Sequence, residues 1–220
     1  TFNNIAGYAI LSSAFLNVNI NNNVINNCGS GIYYKTINPK NSDGSRPNTY
    51  SCQGKSYAPT IDTASSICGN TITVVDTADT SSKQFPYGIR LYGENVTAND
   101  GIVLAGDYSA QNVNVSSNNI TISRAANAIW LVGTKNINVS QNTVLFNNSA
   151  YSTKDNVFGL RIENSTNATI SANTINANHI PYVQNVIILD KSKGVNISGN
   201  TLTGAKKHGI NLTSSSKSSF

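Results

Sequence analysis

Six times along the chain an apolar residue is followed three positions later by asparagine and five positions later by another apolar residue. The steps run Ile20–Ile25, Ile67–Ile72, Val115–Ile120, Val139–Val144, Ile170–Ile175 and Ile197–Leu202, with asparagines Asn23, Asn70, Asn118, Asn142, Asn173 and Asn200. A second step, a small residue followed by alternating apolar positions, falls between them. It reads Gly7-Tyr-Ala-Ile, Gly31-Ile-Tyr-Tyr, Gly88-Ile-Arg-Leu, Ala128-Ile-Trp-Leu, Gly159-Leu-Arg-Ile, Asn185-Val-Ile-Ile and Gly209-Ile-Asn-Leu. The two steps alternate strictly, and the asparagines are spaced 47, 48, 24, 31 and 27 residues apart. A repeat of this length is the mark of a stacked architecture.

The smallest repeat is therefore 24 residues, and longer intervals are that unit plus an insertion. Within each step apolar residues alternate, as in Val113, Val115, Ile120 and Ile122, which is the period of a strand with one face buried. Strands this short cannot bury that face alone. Stacking about seven coils at about 4.8 Å builds one continuous core, so we expect an all-β, right-handed parallel β-helix spanning 1–220 as a single domain. The main insertions are expected near 36–64, 95–111 and 147–157, with smaller ones at 77–84 and 177–184. The asparagine is expected at the corner between two strands, where it tolerates a left-handed backbone and can hydrogen-bond from coil to coil. A leucine-rich repeat also accommodates Ile137–Val144, but Thr134 occupies a place where that repeat needs leucine, and the irregular insertions would interrupt a horseshoe.

Composition narrows the function classes. Only 11% of residues are charged, Met is absent, and the formal charge of +5 is spread thinly. Nucleic-acid binders concentrate Lys and Arg on one face, so no nucleic-acid partner is expected. No apolar run reaches the roughly 18 residues of a membrane span, and no membrane partner is expected. Cys28, Cys52 and Cys68 form neither a metal-binding pair nor a disulfide framework; one bond pinning the loop that carries Cys52, or three free thiols, are both open. No cofactor or metal is expected.

Segments such as Asn136-Ile-Asn-Val-Ser-Gln-Asn-Thr-Val and Gly194-Val-Asn-Ile-Ser-Gly-Asn-Thr-Leu resemble the pectate-lyase-like superfamily of right-handed β-helices, which includes phage tailspike depolymerases and carbohydrate-binding and sugar-hydrolase repeat proteins. The resemblance covers nearly the whole chain. It implies action on a polysaccharide, an extracellular location on a virion or in secretion, and, for tailspikes, a homotrimer. The Asp-Pro-His-Asp signature of alginate epimerases and the aspartate cluster of calcium-dependent pectate lyases are missing, so the resemblance does not choose among hydrolase, lyase or epimerase, and binding alone. Gly7-Tyr-Ala-Ile already has the form of a coil, so the chain reads as part of a longer one. The sequons at Asn114, Asn138 and Asn196 fall in or beside strands where glycans would crowd the stack, which points to a prokaryotic or viral origin.

Tyr33, Arg90, Trp130, Arg161, Ile187 and Asn211 are expected to form a column on the outer face of the second strand. Arg90, Trp130, Arg161 and the nearby Tyr92 are the candidate sugar-binding residues, offering an aromatic face and guanidinium forks; a structural stacking of Arg on Trp is the alternative. Glu163 and Asp190, at the end of that strand in consecutive coils, are the candidate catalytic acid and base of a glycoside hydrolase. Solvated turn carboxylates near Lys191 and Lys193 are the alternative. Asp107, Asp155 and Glu94 are further carboxylates in or beside insertions, His179 and His208 are read as surface residues, and the insertion with Tyr50, Cys52 and Tyr57 is a candidate binding wall.

Overall fold

The computed structural model describes residues 1–13, 17–35, 50–52, 55–57, 64–76, 86–93, 96–97, 103–104, 110–147, 157–178, 183–213 and 217–219. It is a β-solenoid of three seven-stranded sheets. The coil beginning at Val113 shows the plan. Val113–Ser116 lies in sheet 1, Asn119–Ile122 in sheet 2 and Asn127–Val132 in sheet 3, after which the chain re-enters sheet 1 at Asn138–Ser140. Every ladder within the three sheets is parallel, as a chain that always advances in one direction requires.

Alternation turns the aliphatic residues of each strand inward, as with Val113 and Val115 or Ile120 and Ile122, and parallel register stacks these like on like. Ile20, Ile67, Val115, Val139, Ile170 and Ile197 are register partners in sheet 1. Ile25, Ile72, Ile120, Val144, Ile175 and Leu202 are the equivalent stack in sheet 2. The interior members are almost fully buried. Each contributes about 1.5–3 kcal/mol by leaving water, so the core is a sum of coil-to-coil contacts.

The asparagine ladder at the corner between sheets 1 and 2 is complete from Asn23 to Asn200. Asn118 is typical: its Oδ1 accepts from the backbone N–H of Asn70 at 3.0 Å and from Asn70 Nδ2 at 2.9 Å, while its Nδ2 donates to Asn142 Oδ1 at 2.9 Å and to the Ile67 carbonyl at 2.8 Å. Asn70, Asn118, Asn142 and Asn173 are at most 2% exposed, yet their amides are satisfied. One expectation is corrected. The left-handed residue is the one before the ladder asparagine: Asn22, Gly69, Ser117, Gln141, Ala172 and Gly199 all have φ between 54° and 66°. The asparagine is there for its amide.

Register also corrects the placement of the second step at two coils. Ala9, not Gly7, pairs with Gly31, because Tyr8 aligns with Ser30 and Ile10 with Ile32. In the sixth coil an irregularity between Val183 and Asn185 shifts the strand by one residue, so Ile187 faces the core at 0% exposure and Ile188 takes the outward place beside Arg161. Glycine is required at this step where coils approach closely: a Cβ on Gly31 would lie 2.2 Å from the Gly88 carbonyl oxygen.

Antiparallel strand pairs, Tyr50–Cys52 with Lys55–Tyr57 and Val96–Thr97 with Val103–Leu104, fall inside the expected first two insertions. The third insertion is described only at its flanks. Cys28 and Cys68 are free thiols, so neither bridges to Cys52, whose side chain lies outside the described residues.

Candidate functional site

The outer face of sheet 3 carries three side-chain columns set by register. The central one runs Leu11, Tyr33, Arg90, Trp130, Arg161, Ile188, Asn211. The column toward the strand exits runs Ser13, Lys35, Tyr92, Val132, Glu163, Asp190, Thr213. At the strand entries Tyr8, Ser30, Tyr87, Asn127, Phe158, Asn185 and His208 correspond.

Arg90 is enclosed by aromatic rings. Its guanidinium carbon lies 4.2 Å from the centroid of the Trp130 ring, 5.1 Å from Tyr33, 5.2 Å from Tyr92 and 5.7 Å from Tyr87. Only 7% of Arg90 is exposed. Arg161 lies 4.9 Å from the Trp130 ring and 5.4 Å from Phe158. Coils stacked on either side of Trp130 thus place one guanidinium above and one below it, each contact worth about 0.5–2 kcal/mol depending on desolvation. A sugar ring stacks on Trp130 only if an arginine moves aside.

Glu163 ties this stack to the strand exits. Its Oε2 accepts from Trp130 Nε1 at 2.9 Å, and its Oε1 accepts from Arg161 Nε at 2.7 Å and from a terminal nitrogen of the same guanidinium. The Arg161 and Glu163 side chains keep 24% and 16% of their surface in solvent. Asp190 is the register partner of Glu163 in the next coil, and Thr213 Oγ1 lies 3.0 Å from its Oδ1. Glu163 therefore leans toward the preceding coil and Asp190 toward the following one.

Directly after both carboxylates the backbone is held by a second polar ladder that the sequence reading missed. Ser165 Oγ donates to the Glu163 carbonyl at 2.8 Å and accepts from the Thr134 N–H at 3.1 Å. Ser192 Oγ donates to the Asp190 carbonyl at 2.9 Å and accepts from the Ser165 N–H at 3.2 Å. The signal was present: Val-Gly-Thr, Glu-Asn-Ser and Asp-Lys-Ser stand at one offset in three successive coils, the middle residue left-handed at Gly133, Asn164 and Lys191.

Tyr8 and Tyr87 were also missed. They stack with ring centroids 5.9 Å apart, and Tyr33 meets both edge-on at 5.4 and 5.7 Å. Burial raises the Tyr87 phenol far above its ordinary value, Tyr8 adding to this and Arg90 opposing it. Burial also raises Tyr33, against the pull of Arg90.

Among the other expected residues, His208 is exposed and its Nδ1 pairs with Asn185 Oδ1 at 2.9 Å. His179, Asp107, Asp155 and Glu94 lie outside the described residues, as do the side chains of Tyr50, Cys52 and Tyr57. Among the described residues, no three His, Cys, Asp or Glu side chains converge on a point that could hold a metal ion, and no helix is long and apolar enough to cross a membrane.

The model of the right-handed β-helix region matches residues 95–220, more than half of the chain, and the protein belongs to that family. Its handedness agrees with the strong right-handed preference of parallel crossover connections. No curated protein and no solved structure matches the chain.

Proposed function

We propose that the protein is a polysaccharide-processing β-helix whose site is the strand-exit ledge of sheet 3, formed by Tyr92, Arg161, Glu163 and Asp190. The observation that carries this reading is the register pairing of Glu163 with Asp190 on partly exposed positions of adjacent strands. Neighbouring strands lie about 4.8 Å apart, and the two carboxylates lean away from each other, which opens room for a sugar linkage and a water. Glu163, whose two oxygens both accept hydrogen bonds, suits the base that orients water; Asp190 is then the acid that protonates the leaving oxygen.

The finer reading is an endo-glycosidase acting on a bacterial surface glycan as part of a homotrimeric phage tailspike. The resemblance of the repeats to that group supports it. So does the outer face of sheet 1, where Asn138 Nδ2 donates to Asn114 Oδ1 at 2.7 Å, leaving these sequons poor sites for attached glycans. A second reading, glycan binding without cleavage, draws on the tight tethering of Glu163.

Incubation of the protein with capsular polysaccharides and O-antigens is expected to release discrete oligosaccharides, with Glu163→Gln and Asp190→Asn each lowering the rate by at least 100-fold. Saturable binding with unchanged product length would select the second reading, and inertness toward every glycan would overturn both.

A further inference from the structure

An acidic glycan needs a cation that its carboxylate can reach. Of the two guanidiniums on the outer face of sheet 3, Arg90 is sealed beneath four rings and only 7% exposed. Arg161 is reachable, but its fork already holds Glu163 through two nitrogens. The next outward position along the exit column is another carboxylate, Asp190. Among the described residues, a uronate laid beside Glu163 therefore meets two carboxylates and one neutralised guanidinium, the column's Lys35 standing three strands away beyond Tyr92 and Val132. Lys191 on the turn that follows and Lys193 at the start of the next strand are exposed, where solvent and salt screen their attraction.

Resting on the assignment of this ledge as a glycan site, we propose that it is built for a sugar that is uncharged at the reacting residue, with Glu163 acting as an internal occupant of Arg161 that turns acidic sugars away. The chemistry follows from that choice. Elimination from a uronic acid removes the C5 proton and breaks the C4–O bond, and it needs a cation on the C6 carboxylate to stabilise the carbanion. Among the described residues this ledge holds no guanidinium free for that purpose. Hydrolysis needs no such cation: a water oxygen bonds to the anomeric carbon as its proton passes to Glu163, the glycosidic C–O bond breaks, and Asp190 gives its proton to the leaving oxygen.

The chain has a single tryptophan, Trp130, hydrogen-bonded to Glu163, so its fluorescence reports on the site directly. The test is a panel of bacterial surface oligosaccharides, neutral members beside uronate-bearing ones, followed by fluorescence titration of each binder at 0.15 M salt. Wild-type protein is expected to bind neutral members at least 10-fold more tightly than acidic ones. Glu163→Gln keeps an acceptor for Trp130 while releasing the charge on Arg161, and it is expected to gain at least 10-fold in affinity for oligogalacturonate. The double variant Glu163→Gln with Arg161→Leu is expected to lose that gain. Wild-type preference for acidic members, or an ultraviolet-absorbing unsaturated product, overturns this inference while leaving a glycan site intact. Absence of binding to any member of the panel overturns the glycan site and this inference with it.

Discussion

Of the side-chain stacks that run from coil to coil in this solenoid, one lies in the corner between sheets 1 and 2 and another on the outer face of sheet 3. In the corner the same residue recurs six times and makes the same four bonds in each interior coil. On sheet 3 the residue itself changes from coil to coil, from Tyr33 to Arg90, Trp130, Arg161 and Ile188, with three successive contacts of a guanidinium on a ring giving way to an aliphatic neighbour. The difference follows from where each stack lies. A polar atom sealed in the corner must find a partner in every coil, so one solution repeats, whereas on the outer face the side chains cover one another and each coil is free to vary. Variation of that sort is what a binding surface needs and a scaffold does not.

The comparison is broken most severely at the buried end. Asn118→Ala strips the acceptor from two donors of Asn70 and the donor from the Ile67 carbonyl, all inside the core. At about 1–3 kcal/mol for each buried group left unpaired, a loss of about 3–5 kcal/mol in urea unfolding is expected. Asn200→Ala, at the half-buried end of the ladder, should cost only about 1 kcal/mol. Equal costs at the two positions would show that the ladder does not act through burial.

On the outer stack the expected effects are smaller. Trp130→Phe keeps an aromatic ring between the two guanidiniums and removes only the N–H that Glu163 accepts. A hydrogen bond to a charged group is worth about 1.5–3 kcal/mol, and the partial exposure of Glu163 argues for the lower end. The same variant should shift glycan affinity by less than Glu163→Gln does, because Arg161 still holds the carboxylate. A cost above about 3 kcal/mol would mean that this face is as much scaffold as the corner.

The tyrosines beside the stack add a pH dependence that the corner lacks. Tyr87 stays neutral in the folded protein well above the ordinary tyrosine value of 10.0, whereas in the unfolded chain it ionises there. Its contribution is therefore fully present below pH 10 and is lost as the pH rises beyond it, by about 1.4 kcal/mol at pH 11. Tyr33 shifts in the same direction and adds a smaller loss. Unfolding midpoints measured between pH 8 and 11 should fall on the alkaline side, and Tyr87→Phe should flatten that fall.

How much of each stack was legible in the sequence follows from the same contrast. The corner was legible because its residue repeats: the six asparagines mark the coils, the core and the insertions. The outer column was legible only as far as alternation could be counted from a known start. Arg90, Trp130 and Arg161 fell into line, but the extra residue before Asn185 moved Ile187 inside and Ile188 out, and nothing in Val-Ile-Ile-Leu distinguishes the two registers. The tyrosine cluster was hidden for another reason. Tyr8 and Tyr87 come together across the intervening coil at Ser30, so their contact depends on how two insertions return the chain to the sheet. Glu163 and Asp190 were visible as neighbours, while the bonds that hold them apart come from Trp130 and Thr213 on other coils.

The smallest test returns to the corner and separates its two requirements, the turn and the amide. Immediately before each ladder asparagine the backbone is left-handed, and Asn, Gly, Ser, Gln and Ala all occupy that place. For Ala172, at φ 54°, the Cβ costs about 1–2 kcal/mol in this conformation. Glycine removes that cost but adds about 0.5–1 kcal/mol of freedom to the unfolded chain. Ala172→Gly is thus expected to stabilise the protein by about 0.5 kcal/mol, read as a small rise in melting temperature. Gly199→Ala, one coil on at φ 61°, should destabilise by a similar amount, since the added Cβ would touch only the Ala172 nitrogen, at 4.0 Å. Opposite signs for opposite exchanges would show that the turn asks only for a tolerable backbone, so that the coil-to-coil signal rests in the asparagine amide. A destabilising Ala172→Gly would instead give the alanine methyl a packing role, and the corner would then be read by two residues.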